Sequence, residues 1–496
     1  MTHRTREQPN IVLIMADQWT YDTLGAMGND AIRTPHIDAL TGGGVLFDRC
    51  YCNSPLCVPA RGCLMTGRHA GRISMFDNAS ELAAGTPTFV HHLRRCGYDT
   101  VLTGKMHFVG PDQFHGFEKR LLTDIYPATF ALTPDWSRGV YANPGSSVAR
   151  ITDSGPCAWN VQLEYDEEVL HTSLQYLRSY ATDESRHGEP LFLCASFTHP
   201  HDPFEITAPY WDLYDGVDIP LPRSAAKALP DMHPYERWIQ AHHETAAYPL
   251  SEDQIRRARR GYYGMVSYFD HAVGTILHEL ALMNMLENTV VIVTSDHGEM
   301  LGEHGMWFKR TFHENAVRVP LIVSWPGTLQ AGARRDEVVS LVDLAATILD
   351  LAGVPDTAQW IDRMDGDSFR ELLGHSLDAP PAPGEWKDEA FCEYYGEGPI
   401  EPFAMLRRGR WKYVAVNREA PLLFDLESDP CETMNRATDP AHSFVREQMA
   451  AEVDRRVDLQ AMSQRVRESQ QERLMVHEAL TTGEPRLWAL ENRFFV

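Results

Sequence analysis

The chain has 496 residues, with 45 Lys plus Arg against 69 Asp plus Glu and a formal net charge of −24. That length suits one large domain with additions, or two domains, because single cores stop growing near ~250–300 residues. So acidic a surface argues against nucleic acid and anionic membranes as partners, while leaving room for a locally basic site and an anionic substrate.

The polar start, MTHRTREQPN, runs into IVLIMADQ (11–18). This apolar run is too short for a signal-peptide core and reads as a buried strand ending at Asp17 and Gln18. SPLCVPARGCLMTG (54–67) follows, with Pro59 suited to the first turn of a helix and Cys57 near its N-cap. TFVHHLRRCGY (88–98) reads as a helix, DTVLTGKMH (99–107) as a strand ending in Lys105 and His107, and LFLCASFTHPH (191–201) as a strand ending in His199 and His201. SYFDHAVGTILHELALMN (267–284) has a helical pattern, and TVVIVTSDHGE (289–299) is a strand ending in Asp296 and His297. PLIVSW (320–325) adds a strand and LVDLAATILDLAG (341–353) a helix stopped at Gly353. Alternation of this kind predicts a doubly wound α/β sheet.

Beyond about residue 370 the character changes. LDAPPAPGEWKDE (377–389) is a Pro-rich linker, AMLRRGRWKYVAV (404–416) a hairpin with RGR at the turn, and LLFDLESDPCETMN (422–435) a further strand and loop. A long charged helical pattern runs from Ser443 to Leu480, and ENRFFV closes the chain. Residues 1–370 therefore read as a catalytic domain and 371–496 as a smaller α+β subdomain with a helical tail. No run approaches the ~18 apolar residues of a membrane span. Nine cysteines without framework spacing fit reduced thiols, and the expected compartment is the cytoplasm.

In an open α/β sheet, ligands bind beyond the carboxyl ends of the strands. The strand ends above deliver Asp17, Gln18, Lys105, His107, His201, Asp296 and His297 to that rim. Two aspartates from separate strands and an adjacent His hold a divalent cation well, and Lys105 with Lys309, in GMWFKR, would neutralise a tetrahedral oxyanion. The set points to phosphoryl or sulfuryl transfer at a metal site. Singly, each residue has a plainer reading: Asp17 as a helix cap, Asp296–Gly298 as a turn, His199 and His201 as loop residues beside prolines, Lys309–Arg310 as a solvated pair. Their recurrence at successive strand ends favours the site.

Cys57 raises a separate question. At a helix N-terminus, with Arg61 one turn on, a thiol has a depressed pKa and can act as a nucleophile. Sulfur is nonetheless a poor partner for hard oxygen ligands. Burial as a small apolar residue is the plain alternative, and is the reading for Cys50, Cys52, Cys63, Cys96 and Cys194.

CVPARGCLMTG (57–67) resembles the signature of the formylglycine-dependent, type I sulfatases, Cys-x-Pro-x-Arg followed by a Thr-Gly pair. ADQ, GKMH, HPH, SDHG and Lys309 occur in that family's order, and stretches such as FDNASE, TDIYPA, SFTHPHDPF and ESQQERLMVHEAL are similar to bacterial choline sulfatases. The resemblance spans essentially the whole chain. It implies the alkaline-phosphatase-like fold, a mixed, mostly parallel sheet flanked by helices with a smaller C-terminal α+β domain. It also implies that a separate maturation system oxidises Cys57 to formylglycine, whose hydrated aldehyde is the nucleophile. A divalent metal, calcium first with manganese or magnesium as alternatives, would lie between Asp17, Asp296, His297 and the modified Cys57, with Gln18 where many relatives have a second aspartate. Arg61 would orient the formylglycine, and Asn78, Lys105, His107, His201 and Lys309 would surround the sulfate. His201 helped by Lys309 would protonate the departing alkoxide, and His107 would release sulfate from the diol.

The implied reaction is hydrolysis of a sulfate monoester, choline sulfate or a related small alkyl sulfate. Alternatives are an arylsulfatase, a promiscuous phosphonate monoester hydrolase or phosphodiesterase, and, in another class, a non-catalytic sulfate-ester-binding homologue. Glu397, in CEYYGEG, matches the position where choline sulfatases place a carboxylate for the ammonium, with Tyr394 and Tyr395 nearby. The segment after TDIYPA departs from that group. Leu132 stands in the place of a tryptophan, and only Trp136, Tyr141 and Asn143 remain as candidate contacts. The chain stops at FFV, ahead of the tail with which that group completes a neighbour's site. The charged C-terminal helix still suggests a homo-oligomer, dimer or tetramer.

Overall fold

The computed structural model describes residues 8–140, 145–186, 188–355, 357–374 and 386–482. Its centre is an eight-stranded sheet in the order Ala333–Ser340, Val45–Tyr51, Arg318–Ser324, Thr289–Ser295, Asn10–Ala16, Leu191–Ser196, Asp99–Gly104, Lys119–Arg120. Neighbours run parallel except Arg318–Ser324, which is antiparallel to both of its own. The strands expected from the apolar runs at 11–18, 99–107, 191–201 and 289–299 lie side by side in the middle, all parallel. Every residue of Asn10–Ala16 and Thr289–Ser295 is buried, which is why these strands read as continuous apolar runs rather than alternating ones.

Both faces of the sheet are covered. Ile11, Leu13 and Met15 point into a core shared with Phe89 and Leu93 of the helix Phe89–Arg95 and Leu344 and Ile348 of Leu341–Leu351. Val12, Ile14 and Ala16 point into the opposite core, against Leu163 and Val169 of the helix Val161–Thr182 and Val266 and Phe269 of Glu252–Leu282. The helix expected at 267–284 begins a full segment earlier, where Ser251 accepts from the Gln254 backbone as N-cap. Arginines and two glycines mask that first half in the sequence. Gly261 is needed there because a Cβ would lie 2.4 Å from the Phe204 carbonyl oxygen.

The C-terminal part carries a four-stranded antiparallel sheet, Glu389–Tyr394, Phe403–Arg408, Trp411–Val416 and Leu422–Asp425. The expected hairpin turns at Gly409 and Arg410. Cys392, Phe403 and Met405 continue the main core, while Phe391, Ala404 and Leu406 face Met449, Val453 and Val466 of the tail. The tail is two helices rather than one, Ser443–Arg456 and Leu459–Thr481, because the chain extends at Val457 and Asp458 caps the second helix. That second helix folds back on its own chain: Arg473 holds Asp77 through both guanidinium prongs, at 2.5 and 2.7 Å, and Gln470 accepts from the Trp136 backbone at 3.0 Å. Residues 377–385 of the Pro-rich stretch, Tyr141, Asn143 and ENRFFV lie outside the described residues. Among the described residues, no helix is long and apolar enough to cross a membrane.

Glu393, on the first strand of the second sheet, is buried and accepts from the Gly71 N–H at 2.7 Å. Burial pushes its carboxyl up from 4.5 to about 7. Between those values the folded chain keeps a proton that the unfolded chain releases, so stability falls as pH rises through that window. The cost at the top of the window is on the order of 3 kcal/mol. Glu393→Gln, which still accepts from Gly71, is expected to flatten the fall in melting temperature between about pH 5 and 7.5. Parallel pH profiles of wild type and variant would show another origin for the pH dependence.

Candidate active site

The central strands end in register. Ala16 pairs with Ser295, and Ser196 with both Met15 and Gly104, so the residues that follow emerge at one rim. Gly104 has φ +98° and a Cβ there would lie 2.0 Å from the Ser196 carbonyl oxygen. Glycine alone lets the two strands close and Lys105 N–H reach that oxygen at 2.9 Å. Beyond the strand ends, and in the loop between Thr289–Ser295 and Arg318–Ser324, the backbone turns sharply through left-handed non-glycine residues, Gln18 (φ 66°) and His107 (57°) in the first case, Phe308 (65°) and Arg310 (78°) in the second. Such conformations are costly for bulky residues and are held by the surrounding structure.

Cys57 opens the helix Cys57–Thr66. Leu56 at its N-cap offers no side-chain bond, and the Val58 N–H is satisfied instead by Asn78 Oδ1 at 3.1 Å. The sulfur lies 3.2 Å from His297 Nε2 and 3.8 Å from both Asp17 Oδ1 and Lys105 Nζ. Burial opposes ionisation, but the charges of Lys105, Lys309 and His297 outweigh it and hold the thiol well below its ordinary pKa. Arg61, one turn on, is not aimed at Cys57 as expected. It clamps the two carboxylates, Nη2 to Asp17 Oδ2 at 3.0 Å and Nε to Asp296 Oδ2 at 2.9 Å, with Nη1 on Ser196 Oγ at 2.9 Å. Burial works against the Asp17 carboxylate, yet Lys105, His201 and Arg61 keep its pKa far below the usual range.

One donor atom each from Asp17, Cys57, Asp296 and His297 lies within 4.8 Å of the others. Two hard carboxylates and an imidazole, presented this closely, fit a divalent cation, and only the thiol is out of character. His297 is oriented by its Nδ1 against the Gly298 carbonyl at 3.0 Å, which turns Nε2 inward. Burial disfavours its imidazolium, but Asp296 and Cys57 raise its pKa overall. Gln18, expected beside the metal, points elsewhere. Its amide nitrogen donates to Asp202 and Glu299 and its oxygen accepts from Lys309, so the residue steers that lysine.

Lys309 Nζ in turn lies 2.9 Å from His201 Nε2, while His201 Nδ1 faces the Asp202 carbonyl at 2.8 Å. His107 stacks on Tyr126, with ring centroids 4.7 Å apart, and Lys105 Nζ lies 4.3 Å from the centre of the same tyrosine ring. A cavity of about 120 Å³ brings Cys57, Asn78, His107, His201 and Lys309 together with Leu132, Arg150, Arg310 and Glu397. A larger cavity, about 730 Å³ beside Arg72, Lys387 and Glu393, holds none of the strand-end residues, so chemistry rather than size marks the site. Tyr126, Asp202 and Glu299 are not singled out by sequence, although Asp202 in THPHDP and Glu299 in SDHGE adjoin residues that are, and Arg310 reads there only as a solvated neighbour of Lys309.

Residues 9–354 match the family model described as Sulfatase, and residues 302–458 that of N-sulphoglucosamine sulphohydrolase, C-terminal. The chain is 38% identical to a choline-sulfatase of Rhizobium meliloti (strain 1021) over 500 aligned residues, covering 98% of this chain and 94% of that protein. It is 29% identical to an arylsulfatase of Clostridium perfringens (strain 13 / Type A), covering 86% and 90%. Among solved structures, the phosphonate monoester hydrolase of Agrobacterium radiobacter matches with a TM-score of 0.70 at 27% identity, covering 92% and 96%.

Proposed function

The chain belongs to the sulfatase family and has its alkaline-phosphatase-like fold, and we infer that it is a sulfuric ester hydrolase acting on the sulfate monoester of a small alcohol, choline or a related alkyl alcohol. The observation that carries this reading is the convergence of Cys57, Asp17, Asp296 and His297 with Lys105, His201 and Lys309. Oxidation of Cys57 to formylglycine, by a separate maturation system, would replace the one soft donor of the cluster with oxygen. Asp17, Asp296, His297 and that oxygen would then hold the metal, calcium first, with manganese or magnesium as alternatives. When bound, the metal supplies Lewis-acid stabilisation of charge on the sulfuryl oxygens.

The chain's own groups do the rest. Arg61 fixes both carboxylates, leaving Asp17 Oδ1 toward Cys57 while Asp296 Oδ1 accepts from the Gln18 and His297 N–H groups. Lys105 and Lys309 place fixed positive charge against the sulfuryl group before it develops negative charge. Asn78, whose oxygen is committed to Val58, keeps its amide N–H groups for a sulfuryl oxygen. His201, its Nδ1–H on the Asp202 carbonyl and its Nε2 accepting from Lys309, takes a proton from that ammonium and passes it to the departing alkoxide. His107, beside Cys57, takes the proton whose removal releases sulfate. Nine unpaired cysteines support a reducing compartment, the cytoplasm. The C-terminal helix, with Met475 and Leu480 exposed on it, supports a homo-oligomer, dimer or tetramer.

The test is a panel of choline sulfate, an alkyl sulfate, an aryl sulfate and a phosphonate monoester, given to enzyme of measured formylglycine content with calcium present. Sulfate esters are expected to have the higher kcat/KM, and a preference for the phosphonate would overturn the reading. Chelation should abolish turnover and lower the melting temperature, since a cation at ~1,000 times its Kd contributes about 4 kcal/mol to the folded state. Activity and melting temperature that ignore the chelator would remove the metal from the site.

A further inference from the structure

Glu397, expected to face an ammonium, is already engaged. Its Oε1 accepts from Arg310 Nη2 at 2.9 Å, and both residues are only 3% exposed. The left-handed backbone at Arg310 carries this side chain into the cavity on which Cys57 opens, beside Lys309. A guanidinium and a carboxylate can close two parallel hydrogen bonds. Here they close one. Arg310 Nε and Glu397 Oε2 are each buried without a hydrogen-bond partner among the described residues. An unmet buried donor and an unmet buried acceptor are costly, more so when charged, so their persistence at a substrate cavity points to a ligand group that satisfies both.

The chemistry of that group follows by elimination. A trimethylammonium neither donates nor accepts, and Arg310 repels it. Among the described residues the cavity offers it no free aromatic face: Tyr126 is stacked by His107 at 4.7 Å and faces Lys105 Nζ at 4.3 Å, Tyr394 and Trp136 do not line the cavity, and its wall at position 132 is a leucine. A carboxylate would accept from Nε but meet the Glu397 oxygen. A hydroxyl does both at once, donating to Oε2 and accepting from Nε. Arg150, paired to Asp202 at 3.0 Å, lines the same cavity with further donors.

Resting on the sulfatase reading, we propose that the Arg310–Glu397 pair is specificity-determining and selects a sulfate ester whose alcohol carries a further hydroxyl, a small polyol, over choline or a plain alkyl alcohol. The experiment gives formylglycine-containing, calcium-loaded enzyme glycerol monosulfate, n-propyl sulfate and choline sulfate, with 4-nitrophenyl sulfate reporting the sulfatase chemistry itself. Glycerol monosulfate is expected to exceed both others in kcat/KM by about tenfold or more, the discrimination a site gains when its buried polar groups go unpaired with the wrong substrate. Arg310→Met, of similar length and uncharged, should bring the glycerol-to-propyl ratio near one. Arg310→Lys keeps the charge without the fork and should lower the ratio too, should the methionine variant fail to fold. These ratios do not depend on the active fraction. Turnover of 4-nitrophenyl sulfate with propyl or choline sulfate equal to or better than glycerol monosulfate overturns the proposal and leaves the sulfatase reading standing. Failure to hydrolyse any of the four sinks both.

Discussion

Cys57→Ala is expected to lower kcat for every sulfate ester by on the order of 10³-fold or more, with the fold intact. The sulfur stands at the crossing of the site, 3.2 Å from His297 and 3.8 Å from Asp17 and Lys105, where an oxygen made from it meets metal donors and sulfuryl-binding cations together. Loss of one small buried atom costs about 1–2 kcal/mol of packing, so the melting temperature of the calcium-free protein should move little while turnover collapses. The other cysteines give the control. Burial pushes the thiol of Cys194 up to about 12 and those of Cys50, Cys63 and Cys392 well above the ordinary value, as inert core residues require. Cys194→Ala should therefore alter stability and spare kcat. Intact mass of wild type from a maturing host should show the aldehyde in place of the thiol at position 57. A Cys57→Ala enzyme that kept a tenth of wild-type kcat would place the nucleophile elsewhere.

What the sequence makes legible here depends on burial. Asn10–Ala16 and Thr289–Ser295 are buried on both faces, so their apolar runs stand out, and the polar residues that end them mark the rim. Ala333–Ser340 lies at the edge of the sheet with Arg334 exposed, and its ARRDEVVS pattern announces no strand. Val161–Thr182 buries only a stripe, through Leu163, Val169 and Leu177, and its charged remainder hides it among loops. Within the site, residue type was readable and direction was not. Gln18 follows Asp17 in sequence, yet a left-handed backbone sends its side chain to Lys309 rather than to the carboxylate cluster. Arg310 looks like a solvated neighbour of Lys309 until the same kind of turn buries it against Glu397, which lies far along the chain. Such pairings are set by tertiary approach, and no local pattern encodes them.

His201→Gln is expected to slow alkyl sulfates by about 10²–10⁴-fold and 4-nitrophenyl sulfate by less than about tenfold. An alkoxide needs a proton as it departs, whereas 4-nitrophenolate leaves without one, so loss of the acid should scale with the basicity of the leaving group. The geometry suits a relay in which the Lys309 ammonium supplies the proton that His201 Nε2 hands on. The Asp202 carbonyl, 2.8 Å from Nδ1, fixes that nitrogen as donor, and Nε2 faces Lys309 at 2.9 Å on the cavity side. Lys309→Met should add a loss common to all substrates, because that ammonium also faces the sulfuryl oxygens. Equal slowing of alkyl and aryl esters by His201→Gln would remove His201 as the acid. Gln18→Leu separates the remaining alternatives. If Gln18 acts by holding Lys309, its loss should weaken alkyl sulfates more than aryl ones and leave the calcium dependence of the melting temperature unchanged. If Gln18 is instead a metal ligand, all esters should slow alike and the calcium midpoint should rise.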